Sequence, residues 1–150
     1  MQKTKTYNVE VLLIDNIPES IAVLTQILNA TKFEYQLHFT NNERDAIDFL
    51  RKESDYKNKP KPDLIFLGTH PSSINKAQIF NELDSNKSYL YIPVLYLNLA
   101  KNKIEAARVF HPQLIDQLPK EMDIKYFMET IVSLKKFLGS LNKFSDQEKN

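Results

Sequence analysis

The chain has no cysteine. That excludes a disulfide framework, a thiol nucleophile and a thiolate metal site, and it is compatible with a cytoplasmic home. It also has almost no net charge. Twenty basic residues against nineteen acidic ones leave +1, which gives no electrostatic reason to expect nucleic acid or an anionic membrane as partner. No apolar run approaches the roughly 20 residues of a membrane span. The first residues, Met1-Gln2-Lys3-Thr4-Lys5-Thr6, lack the apolar centre of a signal peptide. What remains is 150 residues, 42% hydrophobic and 26% charged, the composition of one globular domain with a sizeable core.

The strongest local signal is Leu64-Ile65-Phe66-Leu67, an apolar run between Pro62 and Pro71. It is too short for a helix and does not alternate, so it reads as a strand buried on both faces. Such strands lie centrally in parallel sheets, and ligands in those sheets bind beyond the strands' carboxyl ends. Here that end is Gly68, which has no side chain.

Val9 to Ile14 reads as the first strand, closed by Asp15-Asn16. Pro18 suits the first turn of a helix, and Ile17, Ile21, Leu24 and Leu28 carry helical spacing to about Ala30. Glu34 to Thr40 sets Tyr35, Leu37 and Phe39 against polar neighbours, the pattern of an edge strand. Asn41 or Asn42 caps a second helix, with Glu43 and Asp45 in its first turn. Asp55 to Lys61 is a polar loop whose Lys57, Lys59 and Lys61 are expected in solvent.

A third helix is expected over 74–84, a fourth strand over Ile92 to Leu97, and a short helix from Lys101 to Phe110. A weak fifth strand is expected from Gln113 to Gln117 and a last helix from Asp123 to Leu141. The last helix carries Ile124, Phe127, Ile131, Leu134, Leu138 and Leu141 on one stripe. The stripe reads mainly as core; the alternative is that its final turn, Leu138 and Leu141, outruns the sheet and, with Phe137 on another face, forms a dimer or partner contact. One domain over 1–142 and a loose polar tail over 143–150 follow. Together this is a doubly wound (βα)5 three-layer α/β sandwich with a flavodoxin-like parallel sheet in the order 2-1-3-4-5.

In their order and spacing these residues resemble the receiver domains of two-component response regulators, over about Glu10 to Leu141. Val11-Leu12-Leu13-Ile14-Asp15-Asn16-Ile17-Pro18 is similar to the first strand with its acidic pair. Lys61 to Leu67 is similar to the strand before the phosphoacceptor, Tyr91 to Leu97 to the fourth strand, and Leu118-Pro119 to the Lys-Pro step after the fifth. The polar stretch from Arg51 to Pro62 is similar to a loop of stand-alone regulators that partner phytochrome-type kinases.

Carried over position by position, the resemblance puts the two acids at Asp15 and Asn16. It puts the phosphoacceptor at Gly68, the hydroxyl residue at Asn98, the lysine at Leu118 and the switch aromatic at Ile115. Of the phosphorylation set only Asp15 keeps its chemistry. Gly68 offers no carboxylate oxygen to a phosphoryl group, and one acid makes a poor Mg²⁺ site. Asp15 is therefore a weak metal candidate, and a helix-start residue that accepts backbone N–H bonds is the favoured reading. His70 stands at the pocket mouth, where a lone loop histidine is more often inert than a ligand. Asn98 suits a turn.

The resemblance thus implies a degenerate receiver that is no enzyme, holds no cofactor and acts by protein contact. Its partner would be a histidine kinase, a downstream regulator or a second copy, met through the fourth helix, fifth strand and fifth helix. A small-ligand sensor using the vacated pocket and a phosphorelay regulator with a displaced acceptor remain as alternatives. The Leu118-Pro119 bond is expected to be cis, with Leu118 turned into the pocket.

Overall fold

The computed structural model describes residues 8–69, 74–101, 103–108 and 124–148. Strand β1 (Val9–Ile14) is followed by helix α1 (Pro18–Ala30), β2 (Tyr35–Thr40), α2 (Glu43–Arg51) and β3 (Leu64–Gly68). Then come α3 (Lys76–Asp84), β4 (Val94–Asn98), β5 (Lys103–Arg108) and α4 (Ile124–Glu148). Single 3₁₀ turns at Ser54–Tyr56 and Lys87–Tyr89 lead toward β3 and β4. The sheet order is β2-β1-β3-β4-β5, with the first four strands parallel.

Alternation along the central strands divides the core into two layers. Val9, Val11 and Leu13 of β1, with Leu64 and Phe66 of β3, face Leu24 and Leu28 of α1 and Ile124, Phe127, Met128 and Ile131 of α4. Leu12 and Ile14, with Ile65 and Leu67, face Ala46, Phe49 and Leu50 of α2 and Ile79 and Leu83 of α3. Every residue of β3 is buried, as a strand covered by helices on both sides must be. The result is a flavodoxin-like, doubly wound α/β sandwich.

The helix starts follow their local chemistry. Pro18 occupies the first turn of α1, where its missing N–H has no intrahelical role. The Asn42 side chain accepts the Asp45 N–H at 2.7 Å and the Asn75 side chain accepts the Gln78 N–H at 3.1 Å. Each supplies one acceptor to an otherwise open helix end. Helices α2 and α3 are clamped by a forked ion pair. Arg51 Nη2 and Nε lie 2.6 and 3.0 Å from Glu82 Oε1, and Nε is 3.1 Å from Oε2. That bond, reinforced by the Glu82 charge, raises the Arg51 pKa above its ordinary value.

The edge position of β2 stands, but the strand is less simple than its apolar alternation suggests. The deeply buried residues are His38 and Thr40, whereas Phe39 is 37% exposed. His38 packs its ring on Phe49 with centroids 5.2 Å apart, and its Nε2 lies 2.7 Å from Glu10 Oε2. The polar face of this strand is thus turned onto α2.

Two expectations fail at the far side of the sheet. The helix expected from Lys101 to Phe110 is not formed by the described residues of that segment. Lys103–Arg108 is strand β5, antiparallel to β4, with Leu97 opposite Ile104 and Asn98 opposite Lys103. A short isolated helix with few apolar residues is marginal, whereas β4 offers an open row of backbone donors and acceptors. The reversal is closed by Asn98, whose side-chain oxygen accepts the Lys101 N–H at 3.2 Å, and Ile104 is buried in the α1–α4 layer. The strand order therefore holds with a different, antiparallel fifth strand. The expected strand Gln113 to Gln117 lies outside the described residues. The second failure is the tail: α4 continues through Glu148, because no proline or glycine follows Leu141 to stop it.

Candidate functional site

The carboxyl ends of β1 and β3 meet where Ile14 pairs with Leu67, which sets Asp15 beside Gly68. Asp15 is fully buried. Its Oδ1 accepts the N–H of Asn16 at 2.8 Å. Its Oδ2 accepts a hydrogen bond from the hydroxyl of Ser20, which is also fully buried and sits in the first turn of α1. The Asp15 backbone N–H donates to the Thr40 carbonyl at 3.0 Å, tying the end of β1 to β2.

This arrangement gives Gly68 its reason. Among the described glycines none has positive φ, so the backbone does not demand glycine there. Space does. A Cβ on Gly68 would stand 2.7 Å from Asp15 Oδ1 and nearer still to Oδ2 and Cγ. The Asp15 carboxylate occupies the volume into which a side chain at position 68 would project.

Of the residues that the sequence singled out, the structure brings Asp15, Asn16 and Gly68 together at the carboxyl ends of β1 and β3. Asn98 ends β4 and spends its side chain on the turn into β5. Leu118, Ile115 and His70 lie outside the described residues, as does the Leu118-Pro119 bond. Lys57, Lys59 and Lys61 are exposed, as expected of a solvated loop.

Sequence reasoning missed Ser20. The signal was there: Ser20, Leu24 and Leu28 share one i, i+4, i+8 stripe, so a hydroxyl stands on the buried face of α1 one turn past Asp15. It also missed the polar tie at the opposite end of the sheet. There Asp63 Oδ2 accepts the Glu10 N–H at 2.8 Å and pairs with Lys135 Nζ at 2.8 Å, while Lys135 also donates to the Asn8 carbonyl at 2.6 Å.

A groove of about 380 Å³ adjoins that tie, walled by Pro62, Tyr91, Ile92, Ile131, Leu134 and Leu138. It lies at the amino ends of β3 and β4, across the sheet from Asp15 and Gly68. The stripe of α4 leaves the core earlier than its spacing suggests: Ile131 is buried, but Leu134 and Leu138 are 42% and 48% exposed.

No family model matches the chain. Response regulator Rcp1 of Synechocystis sp. is 20% identical over 127 residues, which cover 85% of this chain and 86% of that protein. The phosphorylated cyanobacterial phytochrome response regulator RcpA superposes with a TM-score of 0.55 at 16% identity, covering 87% of this chain and 94% of that one. The Mn²⁺-bound form of Rcp1 gives 0.54 at 18% identity over 87% and 94% of the two chains. The chain has the fold of a response-regulator receiver domain. Its order β2-β1-β3-β4-β5 is the one that the sequence pattern implied, although β5 is a different segment, Lys103–Arg108, and runs antiparallel.

The resemblance implies Mg²⁺ at the carboxyl ends of β1 and β3, and the residues present there do not fit it. Mg²⁺ demands near-octahedral oxygen coordination with carboxylates free to face it. Both Asp15 oxygens are turned to internal donors, and Asn16 offers an amide in place of a second acid. Among the described residues no three His, Cys, Asp or Glu side chains gather in a metal-binding group. No helix among them is long and apolar enough to cross a membrane.

Proposed function

We propose that this receiver-fold protein is a signalling module that takes no phosphoryl group at position 68 and acts by binding another protein. The observation that carries the reading is the contact of Asp15 with Gly68. A phosphoryl acceptor needs a carboxylate nucleophile at the end of β3. Here that position has no side chain, and its space is filled by the neighbouring acid. Without a nucleophile at position 68 or a Mg²⁺ cradle around Asp15, this site has no phosphoryl-transfer chemistry of its own.

A protein partner is supported by the apolar side chains that α4 leaves in solvent. Tyr126, Leu134, Phe137 and Leu138 are exposed on that helix, and exposed apolar surface of this kind marks interaction faces. The partner class is a component of cytoplasmic phosphorelay signalling, such as a histidine kinase or a regulator downstream of it, or a second copy of the chain. Helix α4 is the last helix of the expected face; the segment that face assigned to a fourth helix is strand β5 instead.

The test is incubation of the full chain with acetyl phosphate and Mg²⁺, followed by intact mass and peptide mapping. The expected result is no added phosphoryl mass on any Asp. A stoichiometric acyl-phosphate adduct overturns the reading and favours a displaced acceptor.

A further inference from the structure

We propose that Ser20 is a positioning residue that parks the Asp15 carboxylate on Gly68, so that the pocket is shut to divalent cations by geometry as well as by the missing acceptor. The inference rests on the functional reading above and adds a cause to it. Three observations carry it. Ser20 is fully buried on the stripe of α1 that otherwise presents Leu24 and Leu28 to the core. Its hydroxyl has an acceptor in Asp15 Oδ2, which answers the need of a buried polar group for a partner. Asp15, so held, lies inside the volume that a side chain at position 68 would take.

The bond has a direction that matters. A metal ligand at the end of β1 must aim a lone pair out of the sheet toward the loop ends. Asp15 instead directs Oδ2 back along the first turn of α1, to a donor five residues on, while Oδ1 caps the adjacent Asn16 N–H. Asp15 is fully buried, so solvent water does not compete with the Ser20 hydroxyl for this oxygen. Supplying an acid at position 68 is therefore not enough to rebuild a receiver pocket. The second acid would meet the first in one volume, and the first would still be held by Ser20. Gly68 and Ser20 act as a pair: one vacates the space and the other steers Asp15 into it.

The experiment is a Mn²⁺ titration of four full-length chains: wild type, Ser20→Ala, Gly68→Asp and the double variant. Paramagnetic broadening of the Asn16, Gly68 and Thr69 amides, or of the amide at a substituted position 68, is followed by NMR. Wild type is expected to show no site-specific broadening. The double variant is expected to bind at least tenfold more tightly than Gly68→Asp alone, because only there are two carboxylates present and one of them released. Equal affinity of Gly68→Asp and the double variant overturns the role of Ser20.

Should Gly68→Asp prove unfolded in its amide spectrum, the second acid is supplied at the exposed Asn16 instead, and Asn16→Asp is compared with Asn16→Asp/Ser20→Ala. Tighter Mn²⁺ binding by the chain lacking the Ser20 hydroxyl supports the lock; equal binding by both, or by neither, defeats it. A phosphoryl adduct on the wild-type chain defeats the functional reading instead. The two failures are thus told apart.

Discussion

Replacing Gly68 with alanine adds one methyl group, and the structure fixes the sign of its effect. In a strand with ordinary φ, Gly→Ala should help by about 0.4–1 kcal/mol, because it narrows the unfolded ensemble. Position 68 has no positive φ to forbid the change. The opposing cost comes from Asp15. The new Cβ would overlap its carboxylate, and that group is fully buried and held by Asn16 and Ser20.

Overpacking of a filled core costs about 1–3 kcal/mol. Pushing the carboxylate aside also loses a hydrogen bond to a charged group, worth about 1.5–3 kcal/mol. Less the gain from the narrower unfolded ensemble, the net expectation is a loss of about 1.5–5.5 kcal/mol. In a chain of this length that lowers the melting temperature by roughly 3–22 °C. Thermal and urea unfolding followed by circular dichroism measure it, and the double variant with Asp15→Ala supplies the control. Removing the carboxylate removes the obstacle, so the two substitutions should couple by about 1 kcal/mol or more. An unchanged or raised melting temperature for Gly68→Ala would refute the claim that Asp15 fills this space.

Other outcomes follow from the same geometry. Mg²⁺ at a few millimolar should leave the melting temperature of the wild-type chain unchanged, whereas a ligand at 100 times its dissociation constant would add about 2.7 kcal/mol; a rise abolished by Asp15→Ala would contradict the assignment. Burial, and next the charge of Glu82, raise the Tyr89 pKa above 10.0, so the unfolded chain gives up that proton first. Its contribution is complete below about pH 10 and is lost as pH rises through the folded value. Tyr89→Phe should flatten that alkaline decline while costing about 1 kcal/mol at neutral pH through the lost bond to the Leu50 carbonyl, as pH-dependent urea titrations would record. Lys135→Met should lower stability by about 1 kcal/mol or less, since it unties Asn8 and Asp63 from α4; the difference should shrink in 1 M salt, where screening acts over about 3 Å.

The parts of the fold legible in the sequence are those where one signal dominates. Leu64 to Leu67 reads as a doubly covered strand, Pro18 as a helix start, and Asn41-Asn42 before Glu43 and Asp45 as a cap, which the structure assigns to Asn42. Lys103–Arg108 was misleading because Glu105, Ala106 and Ala107 are good helix formers and Ile104 and Ala107 are three apart. What decides the segment is the free edge of β4, a neighbour that local periodicity cannot reveal. The site divides in the same way. That Gly68 offers no nucleophile is plain from one letter. That Asp15 lies on it depends on the β1–β3 register, and that Ser20 holds it there depends on the angle at which α1 leaves the sheet. His38 was hidden for a related reason: its burial comes from Phe49 on another element.

The reversed fifth strand also bears on how the chain folds. The four parallel strands are joined by crossovers, and their pairings, such as Val11 with Leu64 and Ile65 with Val94, close loops of tens of residues. Such contacts form slowly, because much chain entropy is surrendered before any of it is returned. The pairing of Asn98 with Lys103 closes a loop of only a few residues, and hairpins of that size form in about 1–10 μs. The β4–β5 ribbon can therefore exist before the rest of the sheet and present β4 already straightened, with one side satisfied, for β3 to dock against. In pulse-labelling hydrogen exchange the amides of β4 and β5 should gain protection ahead of those joining β1 to β2.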